Sequence, residues 1–167
     1  MRKTRKSKEK TEGERIEILV IEDSPTQALK LQFTLERKGY NVSTAGNGMD
    51  ALVYLKDNIP AIIISDIVMP EMDGFQLCQQ IKEDENLKKI PVILLTSLSD
   101  PQDIMKGLEC GANNFVIKPY NEELLFSMIY HILEKLLQKG IVSYVIKEKT
   151  RYYQAEDPIK IKEYVKE

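Results

Sequence analysis

Three short runs, Ile18-Leu19-Val20-Ile21, Ala61-Ile62-Ile63-Ile64 and Val92-Ile93-Leu94-Leu95, are apolar at every position. A strand with one wet face alternates apolar and polar residues, so a strand apolar on both faces must be covered on both. That is the condition of a parallel sheet enclosed between helices. Two further strands are read at 41–44 and 114–117, and the first of the three runs extends back to 16. Amphipathic stretches at 26–38, 49–57, 74–83, 101–109 and 121–137 alternate with them, which gives five strand-helix units. The expected fold is a doubly wound α/β domain with helices on both faces. Punctuation agrees: Ser24-Pro25 and Asp100-Pro101 each set a capping residue before a helix-starting proline, and Gly39 and Gly111 stand where helices stop.

The 167 residues, 43% of them hydrophobic, suffice for one ordinary domain with a short appendage at each end. Residues 1–15 are rich in Lys, Arg, Glu and Thr without apolar periodicity and read as a disordered basic arm. Residues 16–138 carry the domain, and 139–167 form a C-terminal extension. Within it 141–147 alternates in part like a strand, and Asp157-Pro158 opens a stretch with Ile159, Ile161, Tyr164 and Val165 that suits a short helix. About 30 residues beyond the last domain helix are too few for an independent folded reader such as a winged helix, which takes roughly 50 or more. The formal net charge of −2 leaves no global footprint for a polyanion, so no direct binding of nucleic acid is expected. Cys78 and Cys110 have neither CxxC spacing nor a neighbouring histidine and read as reduced packing residues. No apolar run approaches the roughly 18 residues of a membrane span, and the start of the chain is charged where a signal peptide is apolar. A cytoplasmic setting follows as the expectation.

Chemistry concentrates where the apolar runs stop. Their ends carry Glu22 and Asp23, Asp66, Thr96, and Lys118 before Pro119. In an open α/β sheet, ligands bind beyond the carboxyl ends of the strands, where strand order reverses. If the first and third strands are neighbours there, Glu22, Asp23 and Asp66 form a carboxylate cluster that needs a counter-charge. Mg²⁺ answers that need, since it takes oxygen ligands and is commonly held by one or two carboxylates together with a phosphate. The Thr96 hydroxyl and the Lys118 ammonium suit the oxygens of a phosphoryl group.

Four separated motifs, Ile-Glu-Asp-Ser at 21–24, Ser-Asp-Ile-Val-Met-Pro-Glu-Met-Asp-Gly at 65–74, Leu-Leu-Thr-Ser at 94–97 and Gly-Ala-Asn-Asn-Phe-Val-Ile-Lys-Pro-Tyr at 111–120, together resemble the receiver domain of two-component response regulators. The resemblance spans about residues 17–137 and implies a flavodoxin-like strand order 2-1-3-4-5. It implies Asp66 as phosphoacceptor, with Thr96 and Lys118 beside it in the reaction. Asp23 is then a direct Mg²⁺ ligand, Glu22 acts through metal-bound water, and the Val68 carbonyl supplies another ligand. Thr96 and Phe115 become the switch pair. The family often has Tyr at the second of these positions, and Phe115 lacks the hydroxyl while keeping the ring. Pro119 after Lys118 matches the family's Lys-Pro pair, often joined by a cis peptide. Met69-Pro70 and Asp73-Gly74 shape the loop after the acceptor, with Gly74 permitting a backbone path that a side chain would obstruct.

The implied function is a switch that accepts a phosphoryl group from a sensor histidine kinase or phosphotransfer protein. Its only chemistry of its own is autophosphorylation and autodephosphorylation, its output runs through contacts with a downstream protein, and a homodimer on phosphorylation is in keeping with the family. An alternative is the receiver portion of a longer transcription regulator or hybrid kinase. A weaker one, an aspartyl-phosphate phosphohydrolase, lacks the acid such enzymes place two residues after the nucleophile, where this chain has Val68. Val68 and Leu98, two past Asp66 and Thr96, are both apolar and ill-suited to position water, so a long-lived acyl phosphate is expected. His131 lacks the acidic-then-proline context of kinase histidines and reads as a partly buried helix residue, and Gly46-Asn47-Gly48 reads as a turn.

Overall fold

The computed structural model describes residues 15–97, 101–140, 142–147 and 150–155. Five parallel strands, β1 (Glu17–Ile21), β2 (Asn41–Ala45), β3 (Ile62–Asp66), β4 (Val92–Thr96) and β5 (Asn114–Ile117), pair in the order β2-β1-β3-β4-β5. Between and after them run α1 (Pro25–Glu36), α2 (Gly48–Asp57), α3 (Gly74–Glu83), α4 (Pro101–Glu109) and α5 (Glu122–Gln138). The direction of winding reverses between β1 and β3, as the flavodoxin-like order requires.

Strand periodicity explains the two-sided burial. Ile18, Val20, Ile62, Ile64, Ile93 and Leu95 point to one side and pack with Leu31 and Leu35 of α1 and Leu125, Ile129 and Leu133 of α5. Their sequence neighbours Leu19, Ile21, Ile63, Val92 and Leu94 point to the other side and meet Ala51 and Leu55 of α2 and Leu77, Cys78 and Ile81 of α3. Each of these isoleucines and leucines contributes roughly 1.5–3 kcal/mol by leaving water. Cys78 and Cys110 are free and buried within the second cluster, as packing residues.

Helix ends are satisfied locally. Ser24 caps α1, Asn47 caps α2, Asn121 caps α5, and Asp73 with Gln76 forms a reciprocal capping box on α3. Of Gly46-Asn47-Gly48, read as a turn, Gly46 and Asn47 form a bend and Gly48 already opens α2. Gly39 and Gly111 take φ of +91° and +86° after α1 and α4, the left-handed stops that glycine adopts without strain. Asp100, read as the cap of α4, lies outside the described residues.

Most element ends fall within one or two residues of the sequence reading, and two departures from it bear on the site and the tail. β3 runs two residues past its apolar stretch, because Ser65 and Asp66 pair with Leu94 and Leu95 of β4. Asp66 therefore sits on the last rung of a central strand. Beyond α5, the expected strand is present as β6 (Val142–Lys147), but it pairs antiparallel with a further strand, β7 (Thr150–Ala155), which was not expected. The helix read from Asp157 lies outside the described residues, as do residues 1–14. Among the described residues no helix is long and apolar enough to cross a membrane.

Lys82, on α3, ties the far end of the sheet together. Its ammonium donates to the carbonyls of Lys88 at 3.2 Å and Ile90 at 2.7 Å and to Asn113 Oδ1 at 3.0 Å, and the same Oδ1 accepts from the Val92 N–H at 2.8 Å. Burial lowers the Lys82 pKa, so the bonds form against a desolvation cost. Lys82→Met keeps the stem and takes the ammonium donor from the Lys88 and Ile90 carbonyls, while Asn113 Oδ1 keeps the Val92 N–H. It should lower stability by about 1–2 kcal/mol, read as a lower urea midpoint with unchanged slope.

Candidate functional site

The carboxyl ends of β1, β3 and β5 bring Glu22, Asp23, Asp66 and Lys118 together, and Thr96 ends β4 between β3 and β5. One carboxylate oxygen from each of Glu22, Asp23 and Asp66 lies within 4.8 Å of the others. Glu22 is 6% exposed, its backbone tied to β2 by Glu22 N–H to Ala45 O at 3.1 Å and its Oε1 accepting from the Ser24 N–H at 3.1 Å. Asp23 is exposed at the mouth. Asp66 Oδ1 accepts from the Ile67 N–H at 2.9 Å. The Lys118 ammonium stands 3.4 Å from Asp66 Oδ1 and 3.4 Å from Glu22 Oε2, and its backbone N–H donates to Thr96 O at 2.6 Å.

Burial is the main reason the Glu22 carboxyl titrates above its ordinary value. The Ser24 N–H and Lys118 pull it down, while Asp66 and a hydrogen bond with Asp23 push it up. Three carboxylates thus stand against the one ammonium of Lys118. The oxygens are hard donors and suit Mg²⁺ or Ca²⁺ over a thiophilic metal.

The loop after Asp66 is shaped by close backbone approach. A Cβ on Gly74 would fall against the Asp66 carbonyl oxygen and lie 2.8 Å from Ile67 Cα, and the Gly74 N–H donates to Ile67 O at 2.8 Å. Within this loop Glu71 takes φ of +66°, a conformation that is costly for a residue with a Cβ. Val68 is exposed at the rim, and Leu98 lies outside the described residues. The Lys118-Pro119 peptide is cis, the isomer the family often shows.

Thr96 is 4% exposed and lines, with Phe115, Ile67, Ile117 and residues Asp103 and Ile104 of α4, a cavity of about 110 Å³. The Phe115 ring lies so close to the backbone of α4 at Gly107 that a Cβ there would overlap it. His131 is exposed on α5, where the sequence reading had it partly buried: it falls outside the stripe of Leu125, Ile129, Ile132, Leu133 and Leu136 that faces the sheet.

Two contributors escaped the sequence reading. Ser24 was read as a helix cap and as the end of the 21–24 motif without a role at the site, yet its N–H holds Glu22. Gln27, on the first turn of α1, accepts from the Lys118 ammonium at 3.2 Å. The two are 91 residues apart, and only the fold brings them together.

The fold and this crevice define a doubly wound α/β domain with an acidic, lysine-bridged cleft at its switch point. The family model for the response regulator receiver domain matches residues 18–130, and the chain belongs to that family. It is 41% identical over 128 residues to Histidine kinase P4 of Formosa agariphila, covering 77% of this chain and 9% of that protein. It is 37% identical over 116 residues to Protein PilH of Pseudomonas aeruginosa, covering 70% and 96%. Among solved structures, the signal receiver domain of a signal transduction histidine kinase from Syntrophus aciditrophicus is 48% identical, with a TM-score of 0.69 over 72% of this chain and 91% of that one. The chain spans about half or less of the length of the first curated relatives it matches.

The raised Glu22 pKa has a testable consequence in metal-free protein. Its ionised form is disfavoured by folding, so it costs stability above the folded pKa. That cost fades as pH falls through the folded pKa towards the unfolded value. In EDTA, Glu22→Gln should raise the melting temperature at pH 7, and the gain should vanish near pH 4.

Proposed function

We propose that Asp66 accepts a phosphoryl group from a sensor histidine kinase or phosphotransfer protein, and that the chain is a switch controlled by that modification. The observation that carries this reading is the Asp66 carboxylate on the last rung of β3, 3.4 Å from the Lys118 ammonium and clustered with Glu22 and Asp23. In the reaction an Asp66 oxygen attacks phosphorus, the P–N bond to the donor histidine breaks, and an acyl phosphate forms. Lys118 donates to a phosphoryl oxygen as its charge comes to rest on the site. The Ile67 N–H holds Asp66 Oδ1, the oxygen that also faces Lys118, and so fixes the orientation of the carboxylate.

The donor set fits a hard divalent cation, and Mg²⁺ is the expected one. Asp23, Asp66 and the Val68 carbonyl would hold it directly, and Glu22 through a bound water. When bound, it offsets the negative charge of the acceptor and the incoming phosphoryl group. The Thr96 hydroxyl then turns to a phosphoryl oxygen, and Phe115 follows into the cavity that the two residues share.

Output runs through protein contacts, and 139–167 is an extension on the receiver at 16–138. The alternative that the chain is the receiver portion of a larger kinase or regulator is favoured by one observation, the small share of several relatives that it spans.

With Mg²⁺ and a small phosphodonor, intact-mass analysis should show one added phosphoryl group on wild type and none on Asp66→Ala. Modification that persists in the variant would end this reading. Val68→Asn places an amide able to hold water at the rim and should speed loss of the phosphoryl group by severalfold, measured as phosphoprotein half-life.

A further inference from the structure

The Lys118 ammonium has three hydrogen-bond donors, and three acceptors surround it: Gln27 Oε1 at 3.2 Å, Glu22 Oε2 at 3.4 Å and Asp66 Oδ1 at 3.4 Å. Glu22 and Gln27 accept hydrogen bonds from it, and Asp66 faces it as an ion-pair partner. A phosphoryl oxygen on Asp66 draws the ammonium away from α1, so one of the two hydrogen bonds has to give way. Glu22 is a carboxylate, whose bond to an ammonium is roughly twice as strong as that of a neutral amide. Gln27 is the neutral one of the two and the one that yields.

Its surroundings permit the exchange. Gln27 is exposed and sits on the first turn of α1, where its backbone N–H is held by Ser24 Oγ at 3.4 Å. Beside it a cavity of about 290 Å³ opens between α1 and the segment after β5, lined by Lys30, Thr34, Lys118, Tyr120 and Glu122. A released amide turns into that space and stays hydrated, so no core side chain has to repack.

We propose that Gln27 is a positioning residue for Lys118. It holds the ammonium toward α1 while Asp66 is unmodified and surrenders it to the phosphoryl oxygen afterwards. The exchange sets how readily the site is loaded, and it links the modification directly to α1, on the face of the sheet opposite α4 and its cavity with Thr96 and Phe115. The inference rests on the function proposed above.

The test is a titration of the full chain with beryllofluoride and Mg²⁺, followed by fluorine NMR of the bound anion, on wild type, Gln27→Met, Gln27→Glu and Asp66→Asn. Gln27→Met keeps the side chain's length without the acceptor and should tighten binding about threefold to tenfold, the worth of one neutral hydrogen bond. Gln27→Glu gives the lysine a charged partner and should weaken binding. A merely structural role would move both variants in the same direction. In wild type the Gln27 side-chain amide resonance should shift on saturation. Equal affinities, changes of the same sign, or an unmoved amide would overturn this inference alone. Absence of binding in wild type, or binding retained in Asp66→Asn, would instead overturn the function on which it rests.

Discussion

A sheet covered on both faces cannot place a charge along its length without burying it. The inner rungs of β1, β3 and β4 are therefore Ile, Leu and Val almost throughout, and every group that bears chemistry is displaced to the strand ends. The crevice follows from that constraint. Because β1 and β3 are neighbours, with Ile21 beside Ser65, the residues just past them share one opening, and β4 and β5 bring Thr96 and Lys118 to the same edge. The hydrophobic requirement that makes the fold stable thus also concentrates its charges.

Concentration has an energetic cost that function uses. Three carboxylates crowd one ammonium, the burial of Glu22 adds to the strain, and the site is left short of positive charge. A pocket optimised for stability alone would replace one of those acids. On the proposed function, keeping them would give a place where a divalent cation and a transferred phosphoryl group compensate each other. Lys118 supplies the one positive charge beside those acids, its backbone held to Thr96 and its ammonium shared among Glu22, Asp66 and Gln27.

Much of this was legible beforehand because it depends on short-range pattern. Runs apolar on both faces announced the sheet, Ser24-Pro25 the start of α1, and the polar ends of four strands the crevice. What escaped depends on pairing across the chain. Asp66 looked like a loop residue because Ser65 and Asp66 are polar, whereas the backbone rungs to Leu94 and Leu95 make them strand. β7 escaped because Thr150 to Ala155 mixes polar and aromatic residues, and its partner β6 is what organises it. Gln27 carries no local mark of its contact with Lys118, and His131 could be placed on the outer side of α5 only once the helix's inward stripe was known.

The sheet also divides the interior into two hydrophobic clusters, one shared with α1 and α5 and the other with α2 and α3. Side chains on opposite sides of a strand touch different neighbours, so substitutions in one cluster combine nearly additively with substitutions in the other, while those within a cluster couple. Two sets of tolerated sequence changes can therefore accumulate side by side with little cross-talk. A lineage can remodel the helical surface on one side of the wall while the other keeps the partner it already has.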